Sequence, residues 1–180
     1  ARDIRYAEPP ASWGLRGQKV RTPREVLEGQ LGTCMDTTVT LAAALEEVGI
    51  NSTLWLMEGH IFVGYWRVES SLEVPAQLDV AEVVNLVDLG HIALIETTMI
   101  TGGPTSLPFA EARRAPHTAY LSGSLERFIG VTDVMQARQS QIFPLPTRWV
   151  GTAGDVVVHE YQTAARPEAL SYSPGAGAVA

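Results

Sequence analysis

The only cysteine of the chain, Cys34, stands in Gly32-Thr33-Cys34-Met35-Asp36, where the clearest helical pattern begins. A thiol becomes a nucleophile by losing its proton, and the unpaired N–H groups and dipole of a helix N-terminus favour the anion. Those N–H groups can also donate to an oxyanion developing on an attacked carbonyl. Such a thiol needs a base within hydrogen-bond reach, and the base needs a group that orients it. His60 suits the first role: it heads the apolar run Gly59-His60-Ile61-Phe62-Val63-Gly64, where an imidazole can lie at the rim of a cleft. Glu96 suits the second. It is the lone carboxylate of Ile92–Ile100, where a charge is costly unless it is paired or at the strand's end. Each residue has an ordinary alternative: a small buried hydrophobe, a turn histidine, a solvent-facing glutamate. Taken together, a helix-start Cys, a strand-start His and an acid on the next strand spell acyl transfer on an amide.

Other residues were weighed against this set. Asp79 and Asp88 are rival acids, ranked below Glu96. Asp36, in the first helical turn, suits stabilisation of the helix start better than chemistry. His60, His91 and Glu96 contain the residue types of a two-His, one-carboxylate metal set, but tight spacing such as HExxH is absent and no metal is expected. His117 and His159 have no motif around them and read as surface residues. No GxxxxGK[ST] loop occurs, so nucleotide binding is not indicated, and thiol-based acyl transfer needs no cofactor.

The elements that must carry these residues follow from capping and periodicity. Thr22-Pro23-Arg24-Glu25 matches a capping box with Pro at the first helical position, opening a short helix that stops near Gly29 or Gly32. The next helix runs from about Cys34 to Val48, with an apolar stripe at Leu41, Leu45 and Val48 and Gly49 as its stop. Stepping back seven from Leu41 lands on Cys34 and puts it on the buried side. Ser52–Glu58 and His60–Val68 read as strands flanking Gly59. Asp79–Leu89 reads as a helix with Asp79 as a cap, and Ile92–Ile100 as a third strand. Ser124–Gln141 reads as a helix interrupted near Gly130, and Val156–Tyr161 as a strand. Residues 1–21 read as an irregular entry, 22–150 as the body of one domain, and 151–180 as a strand plus a loosely held tail. A helix followed by mostly antiparallel strands points to the α+β class.

Composition bounds the function. With 180 residues, 46% of them hydrophobic and 18% charged, the chain can bury a core without disulfides or metal. A net charge of −7 with basic pairs such as Arg113–Arg114 standing isolated argues against direct nucleic-acid binding. One thiol suits a reducing cytoplasm. No apolar run approaches the roughly 18–20 residues of a membrane span, and no signal peptide is visible. The first residue, Ala1 rather than Met, suggests a segment cut from a longer protein or one with its start removed.

The stretches Gly32–Asp36, Gly59–Val63 and Glu96-Thr97-Thr98 resemble the transglutaminase-like superfamily of cysteine peptidases and acyl transferases. In that family the cysteine opens the central helix, the histidine opens a strand, and an acid followed closely by Thr completes the triad. The resemblance covers about residues 22–100. More narrowly, Arg21-Thr22-Pro23, Ala43-Ala44-Leu45-Glu46, Gly59–Gly64, and Ala137-Arg138 leading to Pro144-Leu145-Pro146 resemble the domain of this type embedded in large bacterial proteins with helicase and nuclease domains. The likeness implies a papain-like fold in which a central helix packs on an antiparallel sheet. It also implies a Cys34–His60–Glu96 triad and a peptide or protein substrate, in a cysteine peptidase or amidase. Papain-like enzymes use a side-chain oxyanion donor upstream of the cysteine, for which Gln30 is the nearest candidate; transglutaminases can use a Trp, for which Trp13 is the alternative. The alternative is a catalytically silent module that binds peptides or neighbouring domains of a larger protein. Two departures stand out. The third member is Glu where Asp is usual, and the interval from His60 to Glu96 is lengthened by the Asp79–Leu89 segment.

Overall fold

A computed structural model describes residues 3–9, 19–103, 106–144, 146–151 and 154–159. Trp13 and Ser171–Ala180 lie outside the described residues. The chain is α+β, built on a five-stranded antiparallel sheet.

In chain order, β1 (Arg5–Tyr6) leads to α1 (Pro23–Gly29), β2 (Leu31–Gly32) and α2 (Cys34–Glu47). Both helices start at reciprocal capping boxes, Thr22 with Glu25 and Thr33 with Asp36, which satisfy N–H groups that a helix cannot bond internally. The hairpin β3 (Ser52–Met57) and β4 (His60–Trp66) turns at Glu58–Gly59, and Gly59 takes a φ of +73°, which favours glycine. There follow β5 (Ala76–Gln77), α3 (Val80–Asp88) capped by Asp79, β6 (Ile92–Ile95), a 3₁₀ turn (Thr97–Ile100) and α4 (Phe109–Pro116). A π turn (His117–Leu121), β7 (Phe128–Asp133), α5 (Val134–Gln139), β8 (Thr147–Val150) and β9 (Val156–His159) complete the described chain.

Four expectations are corrected. The segment read as an irregular entry contains β1, which pairs in parallel with β2, Tyr6 opposite Gly32. The strand expected over Ile92–Ile100 ends at Ile95, because Glu96 caps the 3₁₀ turn by accepting the Thr98 N–H. The helix expected over Ser124–Gln141 is a strand followed by a six-residue helix. That strand, β7, lies between β5 and β3 inside the sheet. Its Gly130 leaves room for β5, since a Cβ there would come 2.9 Å from Leu78 Cδ2 and 3.3 Å from the Gln77 carbonyl. The stripe expected on α2 is also rotated. Val48 is exposed and Leu41 and Leu45 are half-buried, while the buried positions are Cys34, Asp36, Thr37, Thr38, Ala42 and Glu46.

Alternation along the strands splits the core in two, since successive side chains point to opposite faces. One face gathers Trp55, Phe62, Trp66, Ile92, Leu94 and Val131 against Val83 of α3. The other packs Val63, Ile95, Leu54 and Tyr65 against Ala42, Leu41 and Leu45 of α2. The resemblance motifs meet in buried polar contacts. Arg21 bonds Asp36 through its N–H at 2.7 Å and its guanidinium at 2.8 Å. Glu46 accepts the Ser52 N–H at 2.7 Å and Arg138 Nη1 at 2.9 Å, tying α2 to β3 and α5. On the first core face, Asp133 is fully buried and accepts Trp66 Nε1 at 2.9 Å, the Leu72 N–H at 3.0 Å and the Gln136 N–H at 2.9 Å.

Candidate active site

Cys34 is the first residue of α2 and is 6% exposed. The cap assigns its partners: the Asp36 N–H donates to Thr33 Oγ1 and the Thr37 N–H to the Thr33 carbonyl. The Cys34 and Met35 N–H groups stand ahead of these at the open end of the helix.

His60 follows the Gly59 turn and opens β4. Its Nε2 lies 2.7 Å from Glu96 Oε2, and the Cys34 side chain stands near enough to raise the imidazole pKa. With Nε2 engaged by Glu96, Nδ1 is the ring nitrogen left for the sulfur. The β4–β6 register, Val63 opposite Ile95, puts Glu96 past the strand end and diagonal to His60. Diagonal neighbours are separated by about 7–8 Å at the backbone, within reach of a long side chain, and this accounts for glutamate in place of aspartate. Glu96 is 3% exposed, and its second oxygen accepts the Thr98 N–H at 3.1 Å and Thr98 Oγ1 at 2.7 Å. Both carboxylate oxygens are therefore satisfied, which answers the cost of burying it.

Burial pushes the imidazole pKa down. The hydrogen bonds to Cys34 and Glu96, with the negative charge of both, outweigh it and raise the value from 6.5 to about 9. The surroundings of His60 therefore favour the protonated ring. A group whose pKa is raised on folding adds stability in full below its unfolded value, and that stability is lost as pH rises through the folded one. The difference in urea-unfolding free energy between wild type and His60→Gln should shrink from pH 6.5 to about 9. A difference that stays flat over that range would sink this assignment.

Three threonines, of which sequence reasoning had noted only Thr97, join the elements of the site. Thr97 Oγ1 lies 2.9 Å from Thr37 Oγ1 and 3.0 Å from Thr38 Oγ1, and Thr38 Oγ1 donates to the Ile61 carbonyl at 3.3 Å. Helix α2, strand β4 and the turn after Glu96 thus share one buried hydroxyl cluster. Two tyrosines were missed as well. Tyr120, from the π turn, stacks on His60 with centroids 5.3 Å apart and on Phe62 at 5.6 Å, with Arg127 5.6 Å from its ring centroid. Its phenol pKa is raised by burial and by Glu96, against the opposing charge of Arg127. Tyr6 is raised by burial and then by the charge of Cys34. The doublet Thr97-Thr98 was visible beside Glu96, but no local spacing connects Tyr6 or Tyr120 to Cys34.

The remaining candidates lie elsewhere. Gln30 occupies an exposed left-handed turn (φ +50°) ending α1, and its carbonyl accepts the Arg5 N–H. Asp79 caps α3, and Asp88 pairs with His117 at 3.1 Å. His91 precedes β6 and Glu96 follows it, so they flank the strand at opposite ends. At about 3.3 Å per residue they are too far apart to share a metal. Among the described residues, no three His, Cys, Asp or Glu side chains are grouped to hold one. His159 ends β9. Among the described residues no helix is long and apolar enough to cross a membrane.

Neither protein-family models, nor curated proteins, nor solved structures yield a match to this chain. The functional reading therefore rests on the residues themselves.

Proposed function

We propose that this chain catalyses thiol-dependent acyl transfer on amide bonds, as a cysteine peptidase or amidase with a transglutaminase-like, papain-like architecture. The observation that carries the reading is the 2.7 Å His60–Glu96 bond, made beside a cysteine that opens a helix and acts on the imidazole. The Cys34 sulfur attacks the carbonyl carbon of the substrate amide while the Cys34 and Met35 N–H groups hold the oxyanion. Collapse of the tetrahedral intermediate expels the amine, which takes the His60 proton, and leaves a thioester on Cys34. His60 then takes a proton from water, which attacks the thioester and releases the acid. An amine in place of water would make the reaction a transamidation; water is the default acceptor because it is abundant. The substrate is a peptide or protein, the setting a cytoplasmic one, and other domains of a larger protein are candidate partners.

The 6% exposure of Cys34 favours a second reading, a silent module whose cleft binds peptide or a neighbouring domain. Alkylation by iodoacetamide separates the two. In the acyl-transfer reading, Cys34 reacts readily below pH 8 and His60→Ala slows it by about tenfold or more at that pH. Slow alkylation that is indifferent to His60 would favour the silent module.

A further inference from the structure

The basic pair Arg113–Arg114 looks isolated in the sequence, but the fold brings Arg67 to it from 46 positions away. All three line a cavity of about 410 Å³ beside the edge strand β6, with His117, Thr118 and Asp88. Its apolar wall comes from Val87, Ile92 and Leu94. Arg67 is held over it by the bond from Nη1 to the Gly90 carbonyl at 3.3 Å and by its own N–H to the His91 carbonyl at 2.8 Å. Among the described residues none of the three guanidinium groups pairs with a carboxylate. The one acid in the lining, Asp88, is taken by His117 at 3.1 Å. Three of the chain's twelve arginines thus converge on one concave site in a protein of net charge −7.

Guanidinium forks match the oxygens of phosphate and carboxylate, and unpaired arginines facing a cavity with an apolar wall describe a site for an anion carrying an apolar body. We propose that this cavity binds a small organic phosphate, independently of the thiol site. A phosphate dianion fits better than a carboxylate because it offers more acceptor oxygens and a second charge to three guanidiniums. The volume lies in the range of small-molecule sites. An extended polyanion such as nucleic acid would meet the acidic remainder of the surface.

Phenyl phosphate, benzoate and sodium chloride at matched ionic strength test the inference by calorimetric titration and thermal shift on the full chain. Phenyl phosphate should bind saturably, at least about tenfold more tightly than benzoate. R113Q/R114Q and R67Q should each weaken it by about tenfold or more, because each loses charge-assisted hydrogen bonds. R24Q, at a surface pair on α1, should leave it unchanged. Asp88→Asn should tighten binding by removing the competing carboxylate. All five residues are exposed, so the variants should fold as wild type does. Absence of saturable binding up to 10 mM (on the order of the weak limit for a specific site), or equal binding in wild type and R113Q/R114Q, would overturn the proposal.

Discussion

Glu96→Gln should slow acylation of Cys34 by p-nitrophenyl acetate by about ten-thousandfold, on the scale of losing the correct imidazole tautomer in a catalytic triad. Glu96 now accepts on both oxygens: Thr98 donates twice to Oε1 and His60 bonds Oε2. A glutamine has one acceptor oxygen. With that oxygen turned to Thr98, its NH₂ faces His60 Nε2 and forces the ring proton to Nδ1, toward the sulfur, where a base is required. Glu96→Asp keeps the charge but is one methylene short of the diagonal reach, so the expected loss is smaller, about tenfold to a hundredfold. The order wild type, Asp, Gln in the burst phase, with near-wild-type unfolding curves, is the informative result. Gln within threefold of wild type would remove Glu96 from the site.

Asp133→Ala should cost about 3–5 kcal/mol of folding stability, the range for breaking a buried charged network. Fully buried, Asp133 serves three donors at 2.9 to 3.0 Å: Trp66 Nε1, the Leu72 N–H and the Gln136 N–H that opens α5. Alanine leaves all three without an acceptor, and each orphaned donor costs about 1–3 kcal/mol. Asparagine retains one oxygen and should recover part of the loss. Urea titration reads both, with the midpoint moving and the slope constant if the native state is otherwise unchanged. Because Asp133 lies in the sheet core and not at the triad, the folded fraction of the variant should alkylate Cys34 at the wild-type rate. A cost below about 1 kcal/mol would show that water or rearrangement replaces the carboxylate.

Local signals carried most of the front half of the fold. The Thr22 and Thr33 caps, the Gly59 turn and Asp79 mark their elements with side chains that act within three residues of themselves. Cys34 and His60 were legible for the same reason, each standing at an element boundary that neighbouring residues announce, whereas Glu96 stood out as the lone carboxylate of an apolar run. What failed was decided by distant partners. β7 reads as an interrupted helix until its pairing with β3 and β5 is known, and β1 exists because Gln30, Gly32 and Gly102 supply its backbone partners. α4 and the π turn were unread, and with them Tyr120. The arginine cluster was invisible for the same reason, since sequence separation hides what one sheet edge brings together.

The hydroxyl cluster at Thr37, Thr38 and Thr97 has a consequence for how this chain can drift. Each hydroxyl has one proton to give, and the cluster, with the Thr33, Cys34 and Ile61 carbonyls around it, must be served by three. Valine at any of the three positions fills the same volume yet removes both a donor and an acceptor, leaving a neighbour stranded. Serine keeps the proton traffic and loses only a methyl. Neutral variation at these positions is therefore confined to a Thr–Ser alphabet, and a lineage that crossed to an apolar residue at one would be pressed to change the others with it.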